Sequence, residues 1–335
     1  MKLAWLSEGG YTGRIPREQT ANAGVLWAWM SNLEVEHYNI LNFEQAPTDA
    51  YDYLILQVPK TPHVREALFT RDIVKEARRI GKYILFFQEG PVWVYQDMPL
   101  HWQFWHYNVL IDVDLIFCEN VTDIPYYKGF VPGKPVINLP DLVVDDVISG
   151  VRDIEKQEKS IIGGNFCRWY GGFDSYIVAQ EFRVPIYAPS MGRKIENEEE
   201  IDDLTHLPFM PWKQWMFSLA EFKYAIHLMQ TYAAGSFMMN CGYLGIPCIA
   251  YNHTDTQRNI FPELSINQDD LESARRLARR LVDDNDFYNE CSTDGIKNYG
   301  KHSSELAFND WKKNFFEKVD DFITGKIGDI YGKSI

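Results

Sequence analysis

Apolar residues come along this chain in short, near-continuous runs separated by segments of helical period. Met1 to Ser7 is the first run; it enters Glu8-Gly9-Gly10-Tyr11-Thr12-Gly13, and a helical pattern over Gly24 to Leu33 follows. Further runs at Val35 to Ile40, Tyr51 to Gln57, Lys82 to Gln88, Asp114 to Glu119 and Pro135 to Leu139 predict strands, with helical segments such as Thr70 to Ile80 between them. Strands that are apolar throughout are buried on both faces, and strands alternating with helices build a parallel sheet with helices on either side. Asp145 to Lys159 is polar, acidic and poor in aromatics, which predicts a linker. The pattern then restarts at Ser160, with strands at Val184 to Ala188, Tyr224 to Gln230 and Ile246 to Tyr251 and helices near Gly172 to Glu181, Trp212 to Phe222 and Ser236 to Leu244. Asp269 to Asp283 carries Leu271, Ala274, Leu277, Ala278, Leu281 and Val282 on one face and is an amphipathic helix. A last helix over Ser303 to Ile323, opened by Ser303 or Ser304, presents Leu306, Trp311, Phe315, Val319 and Phe322 as its packed stripe. The expected organisation is therefore an α/β domain over 1–150, a second over 151–305, and a C-terminal helix and tail over 306–335.

Composition agrees with a globular protein: of 335 residues, 46% are hydrophobic and 24% charged. No run approaches the ~18 uncharged apolar residues of a membrane span, and Met1 to Ser7 is too short for a signal peptide, so a cytoplasmic protein is expected. The net charge of −14 is spread evenly, with 12 basic against 19 acidic residues up to Gly150 and 21 against 28 after it. No basic domain or tail marks a nucleic-acid partner, although a local basic strip remains open. Five cysteines without a Cys-x-x-Cys pair point to reduced thiols.

Candidate chemistry lies where strands end in glycine loops. Ser7 to Gly13 is neither a dinucleotide fingerprint nor a P-loop, but Gly9 and Gly10 let backbone approach a ligand, and Arg14 and Arg17 follow to neutralise phosphate; a tight turn with solvated arginines is the alternative. Gly163-Gly164-Asn165-Phe166-Cys167-Arg168 repeats that logic and adds a guanidinium suited to a diphosphate. In Tyr232-Ala233-Ala234-Gly235-Ser236-Phe237 small residues again lead from a strand into a helix, whose free N–H groups are a diphosphate seat; Asn240 and Gly245-Ile246-Pro247 follow.

That last stretch resembles the donor-binding motif of GT-B glycosyltransferases. The resemblance implies two Rossmann-like domains facing across a cleft, with the C-terminal helix packing back toward the N-terminal domain. It implies a nucleoside diphosphate sugar, a UDP-sugar for preference, as co-substrate rather than a tightly bound cofactor. Gly9, Gly10, Gly163, Gly164, Asn165, Arg168, Gly235 and Ser236 would hold the donor, Asn240 its ribose and Tyr187 its base. The two glutamates spaced eight apart in retaining members are replaced here by Tyr232 and Asn240, so a retaining mechanism does not carry over. A narrower similarity is to the T-even bacteriophage DNA glucosyltransferases: Ile162-Gly163-Gly164-Asn165-Phe166 with Arg168 is similar to their phosphate loop, and Lys82 to Glu89 to their strand ending in a catalytic carboxylate. The C-terminal part from Asp269 to Ile323 is similar to their closing helices. This implies a hydroxymethylated pyrimidine in duplex DNA as acceptor and, for a viral protein, the host cytoplasm.

Glu89 also stands on its own chemistry, because a carboxylate at a strand's carboxyl end before Gly90-Pro91 is placed to deprotonate an acceptor hydroxyl. Trp93, Tyr95, His101 and Trp105 form an aromatic stretch on which a sugar or an unstacked base could rest, with core packing as the alternative. Arg65, Arg71, Lys75, Arg78 and Arg79 are the one dense basic cluster that could meet a polyanion in the N-terminal half. Asp112-Val113-Asp114 opens an apolar strand and is not expected to bind metal; a divalent ion at the diphosphate stays open. His253, Asp255, Gln257 and Arg258 form a polar group that could touch sugar hydroxyls. A glycan or small-molecule acceptor, and a non-catalytic two-domain receptor, are the competing readings.

Overall fold

The structure, a computed structural model, describes residues 2–9, 12–14, 16, 25–58, 61–88, 92–139, 142–167, 169–189, 198–231 and 235–323. The chain divides into two compact units, one of residues 1–16, 29–140 and 308–335, the other of 17–28 and 141–307.

In the first unit seven strands are described: β1 Leu3–Ser7, β2 Gly13–Arg14, β3 Glu36–Asn39, β4 Tyr51–Gln57, β5 Gly81–Gln88, β6 Leu115–Cys118 and β7 Val136–Asn138. They lie in the order β2-β3-β1-β4-β5-β6-β7, parallel except for the β2–β3 pair at one edge. All five residues of β1 are buried, as are Tyr53 to Gln57 of β4, because helices cover both faces of the sheet. Those helices are α1 Val25–Asn32, of which Trp29 to Asn32 belong to this unit, α2 Pro62–Leu68, α3 Ile73–Ala77, α4 Leu100–Asp112 and α5 Ile124–Phe130. The aromatic stretch thus becomes α4, which buries Trp102, Trp105, His106, Val109 and Leu110 and leaves Leu100 and Phe104 exposed.

The second sheet is parallel throughout, in the order β10-β9-β8-β11-β12-β13, where β8 is Gln157–Ile162, β9 Ile186–Ala188, β10 Leu204–His206, β11 Phe222–His227, β12 Cys248–Tyr251 and β13 Ser265–Ile266. Its helices are α6 Gly172–Ala179, α7 Trp212–Leu219, α8 Ser236–Leu244, α9 Asp255–Ile260, α10 Leu271–Asp283 and α11 Asn285–His302. Asp270 opens α10 by accepting the Ser273 N–H at 3.0 Å, and Asp284 opens α11 by accepting that of Phe287 at 2.9 Å. The stretch expected to be a linker is instead packed: it forms two 3₁₀ turns and the start of β8, and Ile148 and Val151 are fully buried in the core of this unit. Its polar residues are the outward-facing ones, which is why composition alone read it as a tether.

The last helix, α12 Glu305–Ile323, opens on Ser304, whose hydroxyl accepts the Ala307 N–H at 3.2 Å. From Phe308 onward it belongs to the first unit. Phe308 meets Trp29 edge-on with centroids 4.6 Å apart, Lys312 donates to the Asn32 carbonyl at 2.6 Å, and Tyr53 donates to Asp320. The side chains of Trp311, Phe315 and Phe322 lie outside the described residues. Among the described residues no helix is long and apolar enough to cross a membrane.

Candidate functional site

In each sheet the chain winds outward in one direction and then in the other, so each has a point where neighbouring strands feed loops to opposite sides. Open parallel sheets bind ligands at that point, beyond the carboxyl ends of the strands. In the first unit it lies between β1 and β4, and in the second between β8 and β11.

The β1/β4 edge is polar although it is buried. Ser7, the last residue of β1, has its hydroxyl 2.8 Å from Nε2 of His37 on β3, with both residues buried. Gly9 follows at φ +138°, and its carbonyl accepts from Asn39 Nδ2 at 2.6 Å. Gln57 closes β4 and accepts from the Trp5 indole at 3.2 Å. Nothing in the sequence signals the Ser7–His37 pair, because 30 residues separate the two. Arg14 lies on the edge strand β2, two-thirds exposed and 3.8 Å from Glu34. Gly10, Glu89 and Arg168 lie outside the described residues, as does the Trp93 side chain; β5, which Glu89 follows in the sequence, ends at Gln88 beside Cys118 of β6.

Two members of the expected aromatic platform are core residues. Tyr95 is buried and stacks on His106 with ring centroids 3.7 Å apart, and Trp105 is buried edge-on to Trp102 and donates to the Arg71 carbonyl at 3.3 Å. His101 is exposed, edge-on to Phe69. Three of the five residues of the basic cluster are spent internally as well. Arg71 is held by Glu76 and by the carbonyls of Ile40 and Leu41, Arg78 by Asp114 and the Asp112 carbonyl, and Arg79 by the carbonyls of Phe43, Glu44 and Ala46. Asp114 also accepts the Ile84 N–H at 2.7 Å, so this carboxylate braces the sheet.

The β8/β11 edge brings more of the expected residues together. Strand β8 ends into Gly163, whose N–H is bonded to the Ile226 carbonyl of β11 at 2.8 Å. The next residue of β11, His227, lies against that glycine: a β-carbon on Gly163 would stand 2.3 Å from the imidazole Cγ and 2.4 Å from Nδ1. Gly164 is similarly close to Tyr170, and Asn165 is buried with Oδ1 facing the Cys167 thiol. His227 also meets Phe237, in the first turn of α8, edge-on with ring centroids 5.3 Å apart. That helix starts after Gly235, at φ +85°, where Thr256 leaves no room for a side chain; Ser236 is exposed at its first position. The Gly163–Asn165 loop and the Gly235–Ser236 helix start therefore share one buried neighbour, His227.

His227 carries a signature that the sequence did not flag. It is 6% exposed, and among the described residues neither ring nitrogen finds a hydrogen-bond partner. Burial, with His253 beside it, pushes its pKa down to about 3, so the ring is neutral. His253 meets the Thr231 carbonyl through Nε2 at 3.0 Å and is itself lowered by burial.

The remaining donor-side expectations lie apart from that edge. Tyr187 is in mid-strand on β9, its ring 5.2 Å from Phe222 and 5.6 Å from the Lys159 ammonium, and so leans toward the amino-terminal end of the sheet. Asn240 is buried on α8, where its Oδ1 meets the Trp212 indole at 3.5 Å. Gln257 faces inward, its amide donating to the carbonyls of Cys248 at 3.0 Å and Leu264 at 3.2 Å, and Arg258 is tied to Asp255 and the Asn252 carbonyl. All five cysteines are free and buried, and among the described residues no group of three metal-ligating side chains is present.

Two parallel α/β sheets of these strand orders define the GT-B glycosyltransferase fold, and solved structures of that class match the chain over most of its length. One is an alpha-glucosyltransferase in complex with UDP-glucose and DNA containing an abasic site, with a TM-score of 0.60 and 12% identity over 97% of this chain and 99% of that one. Another is HepE of Anabaena in complex with UDP, with a TM-score of 0.63 and 8% identity over 95% and 100% of the two chains. A third is TarM, with a TM-score of 0.61 and 11% identity over 85% of this chain, which spans 60% of TarM. No family model and no curated protein matches the sequence.

Proposed function

We propose that the protein is a glycosyltransferase that moves a sugar from a nucleoside diphosphate, UDP for preference, to a hydroxyl acceptor. The observation that carries this reading is the β8/β11 edge, where a glycine loop and a helix start converge at a switch point. Backbone N–H groups of Gly164 and Asn165 and of Gly235 and Ser236, with the Arg168 guanidinium, would take up the negative charge that grows on the leaving diphosphate, while the Gly163 N–H stays in the sheet. Glu89 would accept the acceptor's proton as its oxygen attacks the anomeric carbon and the bond to the diphosphate breaks, which inverts the configuration. HepE and the alpha-glucosyltransferase hold UDP or UDP-glucose, and this supports the choice of donor.

For the acceptor, a hydroxymethylated pyrimidine in DNA is supported by the end-to-end correspondence with the alpha-glucosyltransferase, one of whose complexes contains a 13-mer DNA with an HMU base. A glycan or small-molecule acceptor is favoured by the −14 charge and by the internal pairing of Arg71, Arg78 and Arg79.

The test is transfer from UDP-[¹⁴C]glucose, UDP-N-acetylglucosamine and other UDP-sugars to hydroxymethylated DNA and to a glycan panel, with wild type and Glu89→Gln. Transfer by wild type and a fall in kcat of about 10²–10⁴ in Glu89→Gln, with donor affinity kept, is the expected result. Donor binding without turnover on any acceptor would return the chain to the receptor reading.

A further inference from the structure

The imidazole of His227 is buried at the carboxyl end of a central strand with both nitrogens idle, and this is a costly arrangement for a polar ring. Buried histidines in a core are ordinarily tied to a carbonyl, a carboxylate or a water, as His253 is tied to Thr231. Among the described residues nothing comparable bonds to His227: its neighbours include the Gly163 backbone, the ring of Tyr170 at 6.4 Å, that of Phe237 at 5.3 Å and, nearby, His253, whose own Nε2 is taken by Thr231. The position is specific too, because Gly163 is the only kind of residue that lets the ring lie there, a Cβ being excluded at 2.3 Å. His227 also neighbours both candidate backbone N–H seats, through Gly163 in the loop after β8 and Phe237 in the first turn of the nine-residue helix α8.

We infer that His227 is a ligand of the donor diphosphate, its imidazole donating one N–H to a phosphate oxygen held between the Gly163 loop and the start of α8. This rests on the donor reading above. A neutral imidazole adds no net charge to the seat, so its contribution is directional: it fixes where the diphosphate lies, while the helix dipole supplies the attraction. No covalent step is involved.

Calorimetric titration of wild type, His227→Phe and His227→Gln with UDP, UMP, ADP and GDP tests this. Phenylalanine keeps the ring and loses the N–H; glutamine keeps a donor on a flexible arm. Wild type should bind a nucleoside diphosphate, His227→Phe should bind it about 10- to 100-fold more weakly with the monophosphate nearly unaffected, and His227→Gln should recover part of the loss. Equal weakening for di- and monophosphate, or wild-type affinity in both variants, would overturn the inference while leaving the donor reading in place. Wild type binding none of the diphosphates would overturn both. Should His227→Phe fail to fold, the same comparison in His227→Gln, together with the movement of the His227 ring N–H resonance on adding UDP but not UMP, decides the matter.

Discussion

A methyl group on Gly163 would stand 2.3–2.6 Å from three atoms of the His227 side chain, two of them in the ring, so neither residue can be altered without consequence for the other. Gly163→Ala should therefore cost about 1–3 kcal/mol in urea unfolding, and the same change in a His227→Ala background should cost clearly less. Additive losses would mean that the glycine serves the backbone alone. Histidines also set the acid limit of the fold. His106, pushed down to about 3 by burial, and His227, down to about 3 by burial with His253 beside it, are neutral when folded, whereas in the unfolded chain each takes a proton near pH 6.5. The unfolded state thus binds more protons below that pH, and stability falls from pH 6.5 down toward 3. Unfolding free energies at pH 8 and pH 5 should differ by roughly 1–2 kcal/mol for each of the two, and His106→Phe, which keeps the stack on Tyr95, should flatten the dependence. His227 was not legible in the sequence because a single histidine in Tyr-Ala-Ile-His-Leu-Met reads as one more core residue. The idle nitrogens that set it apart exist only once the strands are ordered.

At the scale of elements, the helix α12 completes the first unit by covering Trp29 with Phe308 and by tying Asp320 to Tyr53. Phe308→Ala should cost about 3–5 kcal/mol, read as a lowered midpoint in denaturant unfolding; a midpoint unchanged from wild type would remove α12 from the account of stability. Gln257 plays a similar part inside the second unit, and Gln257→Leu should cost about 1–3 kcal/mol by leaving the Cys248 and Leu264 carbonyls unpaired. Strands whose apolar runs were long enough could be read directly: Tyr51–Gln57 and helix Ser236–Leu244 fall at the expected residues. What escaped was short or lacked period. Leu204–His206 and Ser265–Ile266 are too brief to carry a pattern. Leu100–Asp112 is apolar on most sides, so no face stands out, and α11 packs through the thin stripe of Phe287, Cys291, Gly295 and Tyr299, two of which are small.

Across the whole molecule, charge and donor binding give the clearest readouts. A donor that binds only the folded chain raises its stability by about 2.7 kcal/mol at a hundred times the dissociation constant, so UDP at that level should raise the melting temperature measurably. An unchanged melting temperature with every nucleoside diphosphate would sink the donor assignment. The acidity of the chain was plain from composition, but where its arginines go was not, since the partners of Arg71, Arg78 and Arg79 are backbone carbonyls and carboxylates up to 36 residues away. The division of the chain has a further consequence for its synthesis. The first unit takes residues 29–140 and then waits for 308 onward, while the whole of 141–307 is made in between. On the ribosome, Trp29 has no Phe308 to cover it until the second unit has been translated. The unit begun first is the one finished last, and an interrupted nascent chain would carry an uncovered tryptophan face to chaperones and proteases.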